Sequence, residues 1–239
     1  MKNVLILGAS RGIGLEFARQ LCDQGVRVHA SARKPADLEV LTKMGAHAMA
    51  LDVSVPQEVE RFLGQVQCLE FSHIVHVAGV FGPRTGALNA VGRSDFDQVM
   101  HTNVAPVLQM LPVLVNSLSP QEGQGSQGEH GSHATGVGVG RWISISSVMA
   151  SISLTQDSSG WLYKISKAAL NMSIHAASKQ YKNKILVAMS PGWVKTDMGT
   201  SAAPLTPEVS VSNMLKTIEA LTLKDSGRFI NHDGSPLTW

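Results

Sequence analysis

Tyr163 and Lys167 are the first residues whose types and spacing suggest chemistry. They stand four positions apart in the stretch SSGWLYKISKAALNM, so on a helix they would share one face. A phenol with a pKa near 10 is a poor proton donor near neutrality, but a neighbouring ammonium favours the phenolate and lowers that pKa. The pair therefore predicts a tyrosine that is general acid in carbonyl reduction and general base in alcohol oxidation. Alone it is weak evidence, because chance gives such a pair in about one chain in ten.

Two serines follow a predicted strand. In RWISISSVMA, Ser146 and Ser147 fall at the carboxyl end of that strand, where open α/β sheets bind their ligands. A hydroxyl there can donate a hydrogen bond to a substrate oxygen as negative charge develops on it. Ordinary turn serines are common at such positions, so these two residues alone favour the plain interpretation.

A glycine-rich turn lies in the stretch LILGASRGIGLEF, which runs from a strand pattern through Gly8, Gly12 and Gly14 into a helix pattern. Glycines allow a sharp turn, a close approach of the backbone to a phosphate and tight packing of helix on strand. The amides and dipole of the helix N-terminus then favour an anion. The alternative is a tight turn that binds no ligand. That alternative is less favoured because the turn joins the first predicted strand to the first predicted helix. The turn predicts a pyrophosphate site for a dinucleotide.

The end of the second predicted strand indicates which dinucleotide. A fold that selects NAD usually places an acid there for the ribose 2′-hydroxyl, whereas this chain reads ASARKP, with Arg33 and no acid. Arg33 and Arg11 together would match a 2′-phosphate in geometry and charge. Two solvated arginines are the alternative, but their joint placement favours NADP(H) over NAD(H).

The elements that must position these residues alternate along the whole chain. Short apolar runs and longer helical patterns predict a single-domain α/β fold, doubly wound (Rossmann), with helices on both faces of a mostly parallel seven-stranded sheet. Strands are predicted at 3–8, 27–32, 47–52, 72–77, 141–146, 185–190 and 228–231. Helices are predicted at 14–24, after the first-turn prolines Pro35 and Pro56, and at 95–118, 162–178 and 207–221.

The composition excludes several classes of function. A chain of 239 residues, 44% hydrophobic, suits one sizeable domain, and a net charge of +2 gives no electrostatic footprint for nucleic acid. No stretch reaches the length of apolar sequence that a membrane span needs. Cys22 and Cys68 are too few for a disulfide scaffold and indicate a reducing compartment, so we expect a cytoplasmic protein.

One segment, 121–140, differs in composition from the rest. It reads QEGQGSQGEHGSHATGVGVG and has too few large apolar residues to fold by itself, which predicts an exposed, flexible loop insertion within the single domain 1–239. His130 and His133 are accompanied by no cysteine or carboxylate cluster beyond Glu129, so no metal site is expected.

Taken together, the residues resemble the short-chain dehydrogenase/reductase superfamily over nearly the whole chain. Its motifs occur in order: GASRGIG at 8–14, LDV at 51–53, AGV at 78–80, Asn103 in the fourth helix, ISS at 145–147, YxxxK at 163–167 and PGWVKTDM at 191–198. The stretches SGWLYKISKAALNM, PGWVKTDMG, LTPEVSV and DSGRFINHDGSPLTW are similar to the C-factor and sniffer-type carbonyl reductase branch.

The resemblance implies four catalytic positions. Ser147 would orient the carbonyl oxygen, and Tyr163 would transfer the proton. Lys167 would hold the nicotinamide ribose and lower the pKa of Tyr163. Asn103, which its polar character inside a helix pattern alone would not single out, would hold a water that links Lys167 to solvent. The substrate pocket is expected to draw on Phe81, Trp161, Trp193 and Met198, with 198–205 as a lid.

The resemblance also implies where NADP(H) would bind. The positions are Gly8, Ser10, Arg11, Gly12, Ile13 and Gly14 at the turn; Arg33; Asp52 and Val53 at the adenine; Ala78 and Gly79 at the adenosine ribose; Tyr163 and Lys167; and Pro191, Val194 and Thr196, the last two at the carboxamide.

Two departures from the family pattern concern the contact between the first and fourth strands. The family usually has Thr at the position of Leu7, and Asn-Asn-Ala-Gly where this chain has His76-Val77-Ala78-Gly79. If Leu7 and Val77 replace both polar partners of one contact by apolar groups, the sheet should survive, because losing both partners is far less costly than losing one. His76 is interpreted as structural.

The expected function is that of an NADPH-dependent oxidoreductase that transfers hydride to an aldehyde, ketone or quinone. One alternative is an NADP(H)-binding sensor or signalling protein with little turnover, which fold alone does not exclude. Another is oxidation of an alcohol, since the same residues serve both directions. The partners would be a small carbonyl or alcohol substrate and further copies of this chain, as a dimer or tetramer, without nucleic acid or membrane.

Overall fold

A computed structural model describes residues 1–84, 88–119 and 138–239, and it contains one parallel sheet of seven strands. The spatial order is β3-β2-β1-β4-β5-β6-β7. The strands are β1 (Asn3–Leu7), β2 (Arg27–Ala32), β3 (His47–Ala50), β4 (His73–His76), β5 (Arg141–Ile145), β6 (Ile185–Ser190) and β7 (Phe229–Asn231). All seven predicted strands are confirmed, most of them one or two residues shorter than predicted.

Seven α-helices connect the strands in the described part of the chain. They are α1 (Gly12–Asp23), α2 (Pro35–Lys43), α3 (Pro56–Val66), α4 (Arg93–Asn103), α5 (Ala105–Leu114), α6 (Trp161–Gln180) and α7 (Pro207–Ala220). Pro35 and Pro56 lie in the first turns of their helices, as predicted. Helix α1 begins two residues earlier than predicted, so the glycine turn runs directly into it.

The single helix predicted for 95–118 is wrong, because the chain forms two helices there. Helix α4 ends at Asn103, and Val104 leaves the helical conformation with φ −121° and ψ −54° before α5 begins. Pro106 explains the break, since it lacks the N–H that would bond to Thr102 and its ring would collide with that carbonyl. The break leaves Asn103 at the last position of α4, pointing into the protein with no exposed surface.

Each face of the sheet is covered by helices. Phe17 and Leu21 of α1 and Met214 and Ile218 of α7 are buried against one face. The helices α3, α5 and α6 cover the other face, with Phe62, Met110, Leu114, Leu170 and Ile174 among their buried residues. This is the doubly wound α/β arrangement that the sequence predicts, and its strand order reverses direction between β1 and β4.

The pairing of β1 with β4 corrects one interpretation. Leu7 lies opposite His76, not Val77. The Leu7 side chain packs on the α3, α5 and α6 face, while Val77 packs on the opposite face. Side chains alternate between the two faces of a strand, so Leu7 and Val77 are not an apolar pair. The strands pair as expected, but the neighbour of Leu7 is a buried histidine.

The glycine-rich segment 121–140 lies almost wholly outside the described residues, so the predicted flexible loop stays a prediction.

A membrane span would need a long, apolar helix. Within the described ranges, no helix combines the length and the apolarity that crossing a lipid bilayer requires.

Candidate active site

A cleft of about 440 Å³ opens at the carboxyl ends of the strands, at the point where the strand order reverses. Such a crevice is where open α/β sheets bind their ligands. The predicted cofactor positions that line it are Gly8, Ser10, Arg11, Gly12, Ile13, Arg33, Asp52, Val53, Ala78, Gly79, Tyr163, Lys167, Pro191 and Thr196. The structure therefore brings together in one cleft residues that lie up to 188 positions apart (Thr196 against Gly8).

Gly8 and Gly14 shape the phosphate end of the cleft by excluding side chains. Gly8 has φ +95°, and a Cβ there would lie 2.8 Å from the Ala78 backbone. A Cβ on Gly14 would lie 2.0 Å from the carbonyl oxygen of Gly8. Gly14 does not line the cleft but allows α1 to pack against the turn. The two glycines thus have different roles, a left-handed turn and a close helix–strand contact.

The N-terminus of α1 faces this turn without a partner of its own. Within the described ranges no side chain caps the helix, and its first turn contains no acidic residue. Its N-cap is Arg11, an extended residue whose side chain is basic. Unpaired amides, the positive end of the helix dipole and a nearby guanidinium all favour an anion. The residues present therefore fit the pyrophosphate of a dinucleotide.

The two arginines at the adenosine end are each paired with an acid. Arg11 lies 2.7 Å from Asp197, and both side chains are largely exposed. Arg33 lies 3.7 Å from Asp52. The arginines line the same cleft, but each guanidinium faces its own carboxylate. The predicted joint grip on a 2′-phosphate would require both side chains to exchange partners.

Tyr163 is buried at the other end of the cleft. It is 6% exposed, stacks on Phe81 with ring centroids 4.6 Å apart, and lies near the Ser147 hydroxyl. Burial raises the pKa of Tyr163 to about 12, and the nearby Ser147 hydroxyl lowers it by less. Ser147 itself begins a short 3₁₀ turn after β5, where its Oγ accepts a hydrogen bond from the Met149 amide.

Lys167 lies one helical turn after Tyr163, on the same buried side of α6. Its Nζ donates a hydrogen bond of 2.9 Å to the carbonyl oxygen of Ile145, the last residue of β5. Burial lowers the pKa of Lys167 to about 8, which leaves the amine protonated at neutral pH.

The predicted lowering of the Tyr163 pKa by Lys167 is not found in the protein alone. The ammonium lies 5.8 Å from the centroid of the tyrosine ring and is directed toward Ile145. At that distance the burial of the phenol, which raises the pKa of Tyr163, has the largest effect on that pKa. In the protein alone, Tyr163 is therefore a protonated phenol and not a phenolate held by Lys167.

Asn103 holds the backbone that borders the cleft. Its Oδ1 accepts from the Val80 amide at 2.8 Å, and its Nδ2 donates to the Val80 carbonyl and to the Ser166 hydroxyl at 2.9 Å each. A Cβ on Gly79 would lie 3.3 Å from both Asn103 Oδ1 and Lys167 Nζ. Both amide hydrogens and one lone pair of the oxygen are used, so the side chain is a clamp between α4, the loop after β4 and α6, while its expected role of holding a water stays a prediction.

The predicted substrate pocket is only partly assembled around Tyr163. Phe81 covers the tyrosine ring, and Met198 lines the cleft. Arg84 lies over Phe81, 4.7 Å from the ring centroid, and donates to the Met198 carbonyl at 2.7 Å. Trp193 is 54% exposed, and its Nε1 donates to Gly199 within its own loop.

The predicted lid, 198–205, belongs to a loop whose two ends are joined by hydrogen bonds. Val194 and Leu205 form a parallel bridge, and the Lys195 amide donates to the Leu205 carbonyl at 2.8 Å. Val194 is buried and is not among the residues that line the cleft, and its expected contact with the carboxamide stays a prediction.

Several cleft residues are not predicted by the sequence. Ser31 at the end of β2 accepts from the Gly8 amide at 3.0 Å, and its place two residues before Arg33 is a signal that could have identified it. Lys195 and Asp197 also line the cleft, and only the loop conformation reveals them. Among the described residues no cluster of His, Cys, Asp and Glu could hold a metal ion.

Comparisons with known proteins agree with this geometry. The sequence pattern of the short chain dehydrogenase family matches residues 2–205. C-signal of Myxococcus xanthus is 37% identical over 97 residues, which cover 40% of this chain and 58% of that protein.

Solved structures that match over the whole length of both chains include two carbonyl reductases. Carbonyl reductase Sniffer of D. melanogaster has a TM-score of 0.84 at 27% identity. A carbonyl reductase from Pseudomonas aeruginosa PAO1 in complex with NADP has a TM-score of 0.78 at 28% identity. The chain therefore belongs to the short-chain dehydrogenase/reductase superfamily, in its C-factor and sniffer-type branch.

Proposed function

We propose that the protein is an NADPH-dependent carbonyl reductase in which Tyr163 protonates the oxygen of an aldehyde, ketone or quinone. The observation that carries this proposal is the buried Tyr163, which lies near the Ser147 hydroxyl and lines a cleft that extends to the glycine turn. The raised pKa of Tyr163 keeps the phenol protonated at neutral pH, which is the state a general acid needs.

The reaction requires few groups from the chain. NADPH, when bound, supplies the hydride. Ser147 and Tyr163 both have hydroxyls that can donate to the substrate oxygen as negative charge develops on it. Lys167 holds a positive charge one helical turn away; it does not lower the Tyr163 pKa in the protein alone, and we propose that it favours the phenolate once the positive charge of the oxidised nicotinamide is added beside it. Phe81 covers the tyrosine ring and excludes water from its face.

The preference for NADP(H) rests on the charges at the far end of the cleft. Arg11 and Arg33 both line it, and the acids that face them are partners in exposed or half-exposed ion pairs. Such pairs contribute little, so a phosphate dianion can replace the carboxylates. The complex of the Pseudomonas carbonyl reductase with NADP supports the same choice.

The test is an NADPH-oxidation screen over aldehydes, ketones and quinones, with NADH in parallel and Tyr163→Phe as the inactive control. We expect turnover of at least one carbonyl class, faster with NADPH. Tight NADPH binding without oxidation in the presence of any carbonyl would favour a sensor instead. Alcohol oxidation assayed with NADP⁺ shows whether the reverse direction is also efficient.

We also propose that the protein forms a homo-oligomer through α5 and α6. These helices present large apolar side chains to the outside: Leu108 is 59% exposed, Ile165 47% and Met172 64%. Sedimentation at micromolar concentration should give a dimer or tetramer, and Met172→Lys should shift it toward the monomer. A monomer at all concentrations would contradict this proposal.

A further inference from the structure

His76 is a fully buried polar residue whose ring has no partner. It ends β4 with no exposed surface, and neither Nδ1 nor Nε2 has a hydrogen-bond partner among the described residues. A neutral imidazole has one donor and one acceptor, and each is costly when buried and unpaired. Most such groups in folded proteins are paired with protein atoms or ordered water, so the ring indicates a bound partner.

The residues around His76 are rich in unused donors. Ser144 lies beside it in register on β5, and the Ser144 oxygen accepts from Trp142 Nε1 at 2.9 Å, which leaves its own hydrogen to be donated. On α6, Asn171 accepts from Ser146 at 2.6 Å through its oxygen, but its buried Nδ2 has no acceptor in the described ranges.

Lys167 adds a charged donor to the same place. Its ammonium has three hydrogens, and the Ile145 carbonyl that accepts one of them directly follows Ser144. Burial, together with the charge of Lys167, lowers the pKa of His76 to about 3. The ring is therefore neutral at all physiological pH values, and its unprotonated nitrogen is an acceptor in a cluster where acceptors are scarce.

We propose that His76 is a positioning residue for Lys167: its ring and one ordered water, shared with Ser144 and Asn171, supply the hydrogen-bond acceptors that hold the ammonium on its inner side. A water accepts two hydrogen bonds and donates two, so one water can accept from Lys167 and from one further donor of this cluster and donate to the unprotonated nitrogen of His76. The inference rests on the proposed function of Lys167. It adds to that function a set of buried polar groups, between β4, β5 and α6, that hold the Lys167 ammonium in place.

The arrangement has a consequence for proton transfer. Removal of the acceptor would leave Lys167 with only the Ile145 carbonyl on that side, so its ammonium would be less stable and its neutral form more populated. A neutral lysine would no longer stabilise the deprotonated Tyr163. His76 thus acts on the reaction through Lys167 and touches neither substrate nor cofactor.

The wild-type protein provides the first test, independent of turnover. Nitrogen-15 NMR distinguishes a neutral imidazole whose unprotonated nitrogen accepts a hydrogen bond from one whose nitrogen is bare, and the His76 signal is assigned through its connectivity to the backbone in the isotope-labelled wild-type protein. We expect the hydrogen-bonded form, unchanged between pH 6 and 8. A bare nitrogen would overturn the proposal, even if the variants below fail to fold.

The second test compares His76→Leu with His76→Gln. Leucine fills a similar volume without an acceptor, whereas glutamine keeps one. In cofactor-free protein, carbon-13 NMR of the Lys167 side chain, assigned with Lys167→Met, should show the pKa of Lys167 lowered by about one unit in His76→Leu and nearly restored in His76→Gln. The kcat of His76→Leu at pH 7.5 should fall about threefold or more, with KM within twofold.

A structural role alone gives a different pattern. If His76 only fills the core, His76→Leu should raise the melting temperature by removing an unpaired imidazole and leave the Lys167 titration unchanged, and this result would overturn the proposal. If the protein reduces no carbonyl at all, the proposed function fails, while the two NMR titrations still decide whether His76 supports Lys167.

Discussion

The two ends of the cleft are built on opposite principles. At the proton-transfer end, Tyr163, Lys167 and Asn103 are almost fully buried. Lys167 is held by the backbone of β5, and Asn103 is held by the loop after β4 and by the Ser166 hydroxyl. At the adenosine end, Arg11 and Arg33 are mostly exposed and are paired with carboxylates.

Only one end of the cleft is therefore fixed before any ligand binds. Buried hydrogen bonds in a low-dielectric environment are strong and costly to rearrange, so the geometry around Tyr163 is set by folding. Exposed ion pairs contribute little and are screened by salt, so Arg11 and Arg33 can exchange carboxylates for phosphate. Substitutions at the buried end should therefore change activity or stability by orders of magnitude, and those at the exposed end should change cofactor choice by small factors.

Tyr163→Phe should give the largest effect on the buried end. It removes the proton donor while preserving the ring that stacks on Phe81, so kcat should fall by about 10³-fold while the Kd for NADPH stays within a few-fold. Tyr181→Phe, at the C-terminal end of α6, is the matched control and should leave kcat unchanged. Retained activity in Tyr163→Phe would contradict the assigned acid.

Asn103→Ala sharpens the claim that the buried end is held by folding. The Val80 amide and carbonyl would each lose a buried partner, so the free energy of unfolding should fall by about 2–4 kcal/mol in urea denaturation. The exposed Asn116→Ala should cost less than about 0.5 kcal/mol. Equal stability of the two variants would mean that Asn103 is not a structural clamp.

Arg33→Ala probes the exposed end and should give a smaller effect, specific to the cofactor. Loss of one charged contact to a 2′-phosphate should raise the Kd for NADPH about tenfold and leave the Kd for NADH within twofold, by isothermal titration. Arg61→Ala on the exposed side of α3 is the control. Equal weakening of both cofactors would argue against a 2′-phosphate contact.

Asp197→Asn should give the smallest effect, and it should strengthen NADPH binding where Arg33→Ala weakens it. The neutral amide of this variant would compete less with the cofactor for Arg11, so the Kd for NADPH should fall about two- to threefold at low salt, and the gain should diminish as salt is raised. NADPH bound more weakly by this variant would show that Asp197 supports the loop and does not compete for Arg11.

The sequence predicts more of the buried end than of the exposed end, for a physical reason. The glycine turn, the seven strands and the spacing of Tyr163 and Lys167 follow from local periodicity and from steric needs that few residues meet. The break at Val104 is not predicted, because a proline near a helix start and a proline inside a helix look alike in sequence. The role of Asp197 and the register of Leu7 with His76 depend on tertiary placement, which no local pattern contains.

The most direct measurement of the central claim follows a labelled hydrogen from cofactor to product. NADPH carrying deuterium at the transferable position is incubated with the best aldehyde or ketone from the screen, and the alcohol is analysed by mass spectrometry. We expect deuterium on the carbinol carbon with the wild-type protein and essentially none with Tyr163→Phe in the same time. Tight NADPH binding with no deuterium in the product of any aldehyde or ketone tested, and no NADPH oxidation by quinones, would contradict the proposed function.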